Sequence, residues 1–190
     1  MKIALTFDVE FPGSPSDGNQ NLSTILSTLH QRGIRAMFFV EGRWAAAYPD
    51  QLHAIAKAGH VIGNHMFHHA HSVNLTSLGF IREYRNTRRI LNSLAGSNSK
   101  MKFRLPYGSG SASLRIRIVM RLLGTKHVGW HVDSFDWRDD KNTVVKNLKK
   151  QLTTSSEEVI ILFHSWPNST ITGIEYLLDT YKNTDFYLTG

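Results

Sequence analysis

The chain has 190 residues, of which 41% are hydrophobic, and it carries a formal net charge of +7 with no cysteine. The lack of cysteine excludes disulfides and thiolate ligands, so any metal site must use histidine or carboxylate side chains. This length corresponds to about one domain with its own core. The sequence has no run of about 18 apolar residues, so it does not predict a membrane-spanning helix.

The first residues, MKIALTFDVEFPG, do not have the pattern of an export signal. Acidic residues follow where a signal peptide would continue its apolar core. We therefore expect a cytoplasmic location by default, or an extracellular or periplasmic one if the chain is a trimmed mature domain.

Short apolar runs alternate with segments of helical periodicity. The predicted helices include one that ends at Gly33, one that ends at Gly59, and a long one with Thr76 as N-cap and Gly96 as its stop. This alternation predicts parallel βαβ units in one α/β domain over residues 1–190, as an open sheet or a barrel. The seven predicted strands are KIALTF, IRAMFFV, HVIG, MKFRL, HVGWHV, EVIILF and DFYL.

The positive net charge raises the question of an anionic partner such as nucleic acid. Arg82, Arg85, Arg88 and Arg89 share one side of a predicted helix. Aromatic residues are not interleaved with them, as a stacking surface for bases would require. We expect a solvated helix face and no nucleic acid partner.

The polar residues most able to do chemistry lie at or just after the ends of the predicted strands. Parallel strands gather their carboxyl ends on one face, where α/β barrels have their active sites, so these dispersed segments are expected to form one site. They are Asp8 and Glu10, the histidines from His65 to His71, Arg104, Asp133 and Asp136, and His164.

Five of the ten histidines lie within GHVIGNHMFHHAH, from Gly59 to His71. Such a cluster is consistent with a metal site, a proton-transfer site or a polar loop. On a helical turn the spacing of His65 and His69 would point both imidazoles the same way, and His68 is placed almost as well. Spacing alone therefore does not select the ligands.

Five segments stand in the order and approximate spacing of a known set of motifs: TFDVE, GHVIGNHMFHH, FRLPYG, DSFDW and LFH. With them the chain resembles, over residues 1–190, the NodB-homology polysaccharide deacetylases of carbohydrate esterase family 4. The resemblance implies an irregular (β/α) barrel of about seven parallel strands. It also implies a metal-dependent hydrolase that removes N-acetyl groups from an amino sugar of a poly- or oligosaccharide and releases acetate. The alternatives are an O-acetyl esterase or cyclic amide hydrolase, or an inactive glycan-binding domain.

The resemblance makes His65 and His69 metal ligands and leaves His60, His68 and His71 as polar loop residues or hydrogen-bond donors behind them. The first motif departs from the family pattern, because Val9 stands where most members have a ligating aspartate. At the frayed end of a strand, residues 8 and 10 can face the same pocket. We therefore expect Glu10 to complete the site for zinc, with cobalt, manganese or nickel as alternatives.

The resemblance also assigns the catalytic groups. Asp8 is the general base, Arg104 pairs with it, and His164 is the general acid, which Asp136 keeps protonated. The backbone N–H of Tyr107 joins the metal in holding the oxyanion.

The resemblance also gives expectations for four further residues. Trp137 and Leu162 form walls of a small pocket for the acetyl methyl group. Asp133 supports its loop and takes no part in catalysis. Met66 replaces the usual serine or threonine of the second motif, at the cost of one hydrogen bond.

Overall fold

The computed structural model describes residues 1–11, 21–96, 101–153, 157–182 and 184–188, which form parallel strands and helices. They divide into two units. The first comprises Met1–Met37, Ala58–Val61 and Trp130–Gly190, and the second comprises Phe38–Lys57 and Ile62–Gly129. The expectation of one domain over the whole chain stays a prediction.

The first unit is built on a parallel sheet. Its strands are β1 (Lys2–Val9), β4 (Val132–Asp133), β5 (Glu158–His164) and β6 (Asp185–Phe186), and its helices are α1 (Leu22–Gln31), α6 (Lys141–Leu152) and α7 (Ser169–Thr180). Strand β1 pairs in parallel with β5 and β6, and β5 pairs in parallel with β4.

The second unit contains most of β2 (Met37–Val40) and of its neighbour β3 (Val61–Asn64). Its helices are α2 (Gly42–Ala47), α3 (Pro49–Lys57), α4 (Ser77–Ala95) and α5 (Leu114–Leu122). Helix α4 begins and ends as predicted, because the Thr76 hydroxyl accepts a hydrogen bond from the Gly79 N–H and Gly96 has a φ of 66°. The core of this unit consists of Met66, Phe80, Tyr84, Phe103, Leu105, Ile116, Val119 and Met120.

The described residues contain six of the seven predicted strands. In the MKFRL segment only Phe103 pairs, through single parallel bridges to Asn64 and His127. Pairing ends there because Pro106 starts a 3-10 turn. Of the predicted strand HVGWHV only Val132 lies in β4, because the His131 ring, at its Nδ1, accepts the Ile160 N–H where a strand would offer a backbone carbonyl.

None of the helices that the structure describes is both long and apolar enough to cross a bilayer. The four arginines of α4 at 82, 85, 88 and 89 are exposed, as the sequence predicted.

Gly173 in α7 tests the packing of the first unit, where α6 lies against α7. A Cβ at this position would lie 2.6 Å from Val144 Cγ1 and 2.8 Å from Phe163 Cε1. In an exposed helix, glycine to alanine stabilises by about 1 kcal/mol. We expect Gly173→Ala to lower the free energy of unfolding instead, by roughly 1–3 kcal/mol, because the added methyl group overpacks the core.

Urea unfolding measures this change, and Glu175→Ala on the exposed side of α7 is the matched control. A Gly173→Ala protein as stable as the control variant would contradict the packing described.

Candidate active site

The carboxyl ends of β1 and β5 bring Asp8 and His164 side by side. They are partners in the strand register, and the Asp8 carbonyl accepts a hydrogen bond from the Ser165 N–H. Strand β1 runs through Val9. Within the strand, alternation points Asp8 and Val9 to opposite faces, and Glu10 is the first residue after the strand. All three residues are buried.

His164 forms a close pair with Asp136. Its Nδ1 lies 2.8 Å from Asp136 Oδ1, and its backbone N–H donates to Asp136 Oδ2 at 2.6 Å. Burial lowers the pKa of His164, but the carboxylates of Asp136, Glu10 and Asp8 outweigh burial and raise it to about 10. The imidazole is therefore protonated at neutral pH, with Nε2–H as the proton it can transfer.

Helix α7 holds the Asp136 carboxylate in place. The Thr170 hydroxyl donates to Asp136 Oδ2 at 2.7 Å, and the Ser169 hydroxyl donates to the Asp136 carbonyl at 2.9 Å. Sequence reasoning missed both hydroxyls, although their position at the start of the helix that follows the strand ending at His164 could have suggested them.

The remaining candidates of the first unit differ in exposure. Leu162 is buried and shares its face of β5 with His164, whereas Trp137 is 43% exposed beside Arg138. The Asp133 carboxylate accepts the Phe135 N–H at 2.8 Å, and burial raises its pKa. None of these contacts tests the predicted pocket for an acetyl group.

In the second unit, His65 and His69 approach each other through their Nε2 atoms, which lie 3.1 Å apart. The expected helical turn is absent, and the chain instead adopts the left-handed conformation at Met66 (φ 65°) and at His69 (φ 52°). These two strained residues turn the loop back so that the imidazoles converge.

The donor geometry of this histidine pair fits a divalent metal ion. His65 Nδ1 lies 3.0 Å from the Arg104 carbonyl oxygen, which can only accept, so Nδ1 carries the proton and Nε2 carries the lone pair. Two imidazole nitrogens that bind one tetrahedral zinc ion are about 3.3 Å apart, for bonds of about 2.05 Å. Nitrogen lone pairs at 3.1 Å repel each other unless a proton or a cation lies between them.

Neighbouring elements satisfy the backbone of the histidine loop, residues 65 to 69. The first N–H groups of α2, from Gly42 and Arg43, donate to the carbonyls of Met66 and Phe67. A Cβ on Gly42 would lie 2.5 Å from the Phe67 ring, so only glycine allows this approach.

Glu83 and Asn64 hold the same loop from the other side. One Glu83 oxygen accepts the N–H groups of Phe67 and His68, and Asn64 Oδ1 accepts that of Met66. The other Glu83 oxygen lies 2.7 Å from His68 Nδ1. Sequence reasoning missed Glu83, whose only signal was its place as the one acid in the arginine-rich helix.

The Met66 side chain packs in the hydrophobic core, so the residue that departs from the second motif has an apolar role. His71 stacks on the Tyr107 ring with 4.1 Å between centroids. His60, in the first unit, accepts the Ala36 N–H at Nδ1, and burial together with the Arg35 charge lowers its pKa to about 4.

Arg104 and Tyr107 lie in the segment that leaves the Phe103 bridge. The Arg104 side chain is fully buried, donates to the carbonyls of Val128 and Gly129, and stacks on the Phe39 ring at 4.2 Å. Tyr107 has a φ of 57°, a left-handed conformation that is uncommon for a tyrosine. Its ring is exposed and contacts His69.

Known proteins with similar sequences cover most of the chain. The sequence model of the polysaccharide deacetylase family matches residues 1–128. A peptidoglycan-N-acetylglucosamine deacetylase of Bacillus cereus is 32% identical over 182 residues, which are 94% of this chain and 61% of that protein. A chitooligosaccharide deacetylase of Azorhizobium caulinodans is 28% identical and covers 74% of this chain, which spans 65% of it. The chain thus spans less than two thirds of either relative.

Solved structures also resemble the chain. A family 4 carbohydrate esterase from Streptomyces lividans, in complex with acetate, superposes with a TM-score of 0.83 at 29% identity, over 100% of this chain and 93% of that one. A family 4 pseudoenzyme from Bacillus anthracis also gives a TM-score of 0.83, at 23% identity over 96% of this chain and 60% of that one, which shows the fold alone. The irregular α/β barrel fold predicted from the sequence is confirmed. The chain belongs to the polysaccharide deacetylase family, carbohydrate esterase family 4.

Proposed function

We propose that the chain is a metal-dependent N-deacetylase that removes acetyl groups from amino sugars of a poly- or oligosaccharide. The observation that carries this proposal is the convergence of the His65 and His69 Nε2 atoms, with the His65 tautomer fixed by the Arg104 carbonyl. Relatives named for the deacetylation of peptidoglycan and of chitooligosaccharides support the substrate class.

Glu10, His65 and His69 are proposed to hold one divalent ion. One carboxylate and two imidazoles form a donor set typical of catalytic zinc sites, and cobalt, manganese or nickel suit the same donors. Glu10 is buried, and a buried carboxylate is costly unless positive charge or hydrogen bonds balance it. When bound, the ion would lower the pKa of a water molecule and polarise the acetyl carbonyl.

The protein's own groups then move two protons. Asp8 accepts a proton from the attacking water while the water oxygen bonds to the acetyl carbon. Collapse breaks the carbon–nitrogen bond, and Nε2–H of His164 protonates the departing amine, so that acetate and a free amino sugar are released. Arg104 is proposed to orient Asp8, the Tyr107 N–H to bind the oxyanion, and Trp137 and Leu162 to bound the acetyl methyl group.

Acetate release from a panel of N-acetylated and O-acetylated glycans tests the activity on zinc-loaded protein. Release from N-acetylated sugars supports the proposal, and release from O-acetyl esters alone would assign the scaffold to an esterase. A protein that binds zinc and glycan but releases no acetate would be a binding domain.

The metal ligands can be tested by zinc affinity, measured by competition with a chelator. We expect Glu10→Ala, His65→Ala and His69→Ala each to weaken zinc binding by on the order of tenfold or more, because each removes a donor. The matched control is His68→Ala, since His68 contacts Glu83. Unchanged affinity in Glu10→Ala would mean that another group is the third ligand.

Asp8 can be tested by separating turnover from metal binding. We expect Asp8→Asn to lower kcat by on the order of a hundredfold or more, because the amide cannot accept the proton. Zinc occupancy, measured by elemental analysis, is expected to stay unchanged. Asp133→Asn, another acid at a strand end, should lose much less activity. Equal losses in the two variants would remove Asp8 as the base.

The pair of His164 and Asp136 predicts a pH dependence. The pKa of His164 is raised to about 10, so its acid form is present below that pH and is lost as the pH rises through it. Asp136→Asn removes a negative charge that raises the pKa of His164, whereas burial continues to lower that pKa. We therefore expect the basic limb of kcat/KM to move to lower pH by about one unit or more.

Thr170→Val is the control for Asp136→Asn, because it removes a hydrogen bond to Asp136 without removing the charge. Its basic limb should stay near that of the parent protein. A basic limb that does not move in Asp136→Asn would show that His164 is not the acid.

A further inference from the structure

Positive charge is concentrated in one stretch of the chain. Between residues 72 and 129 the sequence has eleven lysines and arginines and one acid, Glu83, whereas the rest of the chain has eleven lysines and arginines and fourteen acids. The Glu83 carboxylate is buried and bonded to the histidine loop. Its single negative charge leaves a large excess of positive charge in this stretch.

Two neighbouring helices of the second unit display these cations. The exposed arginines are Arg82, Arg85, Arg88 and Arg89 on α4 and Arg115, Arg117 and Arg121 on α5. An outer surface of this kind attracts anions from a distance of about one Debye length.

The same two helices expose large aliphatic side chains. Leu114, Ile118 and Leu122 on α5 are 71%, 51% and 76% exposed, and Leu78 on α4 is 79% exposed. The three residues of α5 recur every four positions and so form one stripe along the helix. We call this stripe, with Leu78 and the seven arginines, the basic–apolar face.

The stripe remains half or more exposed, while the opposite side of α5 fills the core. Ile116, Val119 and Met120 belong to the hydrophobic cluster of the second unit. An open groove of about 420 Å³ runs between the two helices, with Ile81, Leu114 and Ile118 in its lining. Both helices are thus fixed while their outer aliphatic side chains remain in water.

We propose that the basic–apolar face binds the surface of a bilayer that contains anionic phospholipid. Arg115 lies on one side of the stripe, and Arg117 and Arg121 lie on the other. Side chains that can bind lipid phosphates therefore flank the aliphatic side chains that would contact the acyl region. A soluble polyanion would match the arginines but would leave the leucines in water, where they gain nothing. The mixture of aliphatic and cationic side chains therefore favours a lipid surface.

The test is sedimentation of the protein with vesicles of phosphatidylcholine alone or with about one third phosphatidylglycerol. We expect binding to the anionic vesicles that weakens at high salt. The triple variant Leu114→Ser, Ile118→Ser, Leu122→Ser and the double variant Arg117→Gln, Arg121→Gln should each reduce the partition coefficient at least about tenfold. All five substituted residues are exposed, and circular dichroism confirms that the variants fold.

A matched control removes the same charge elsewhere. Lys146→Gln with Lys150→Gln takes two exposed cations at the same spacing from α6, and vesicle binding should stay near that of the parent chain. Absent binding, equal binding to both vesicle types, or equal losses in the control would overturn the proposal. Unchanged binding in the serine variant, with loss in the glutamine variant, would overturn it in favour of a polyanion site.

Discussion

The parallel register between β1 and β5 is the constraint on which the first unit depends. Seven consecutive residue pairs align the strands from Lys2 with Glu158 to Asp8 with His164. Both faces of β1 are buried beyond its first residue, so a slip by one position would turn core residues toward the site and remove Asp8 from it. The side chains that pack the core therefore also fix the spacing of the proposed base and acid.

A second constraint, of a different kind, shapes the histidine loop. Residues 65 to 69 lie outside any helix or strand, so their buried N–H and C=O groups need partners from other elements. The N-terminus of α2, Glu83 and Asn64 supply those partners. This fixed backbone compensates for the left-handed conformations at Met66 and His69 and so makes the close approach of the two imidazoles possible.

The carboxylates of the first unit act together on the protonation of His164. Asp8, Glu10 and Asp136 all raise the pKa of His164 against the effect of its burial. A cationic imidazole among carboxylates keeps its proton at neutral pH, because the negative field of the carboxylates favours the charged form. The second unit has the opposite balance on its exposed helices, where arginines predominate.

Local sequence chemistry determined much of this protein without reference to its fold. Thr76 and Gly96 mark the ends of α4 because a cap hydroxyl and a glycine with positive φ act within one turn. Alternating apolar and helical segments predicted the α/β class and six of the strands. The order of the motifs identified the family.

Only the tertiary structure decided the details that depend on residues distant in sequence. The side chain of His131 accepts the Ile160 N–H and so shortens a predicted strand. No local sequence pattern predicts that hydrogen bond. The conformation of His69, the partner of His68 and the hydroxyls behind Asp136 likewise depend on α2, Glu83 and α7. The sequence indicates which residues are able to take part in the chemistry, whereas contacts between distant segments decide how each side chain is oriented.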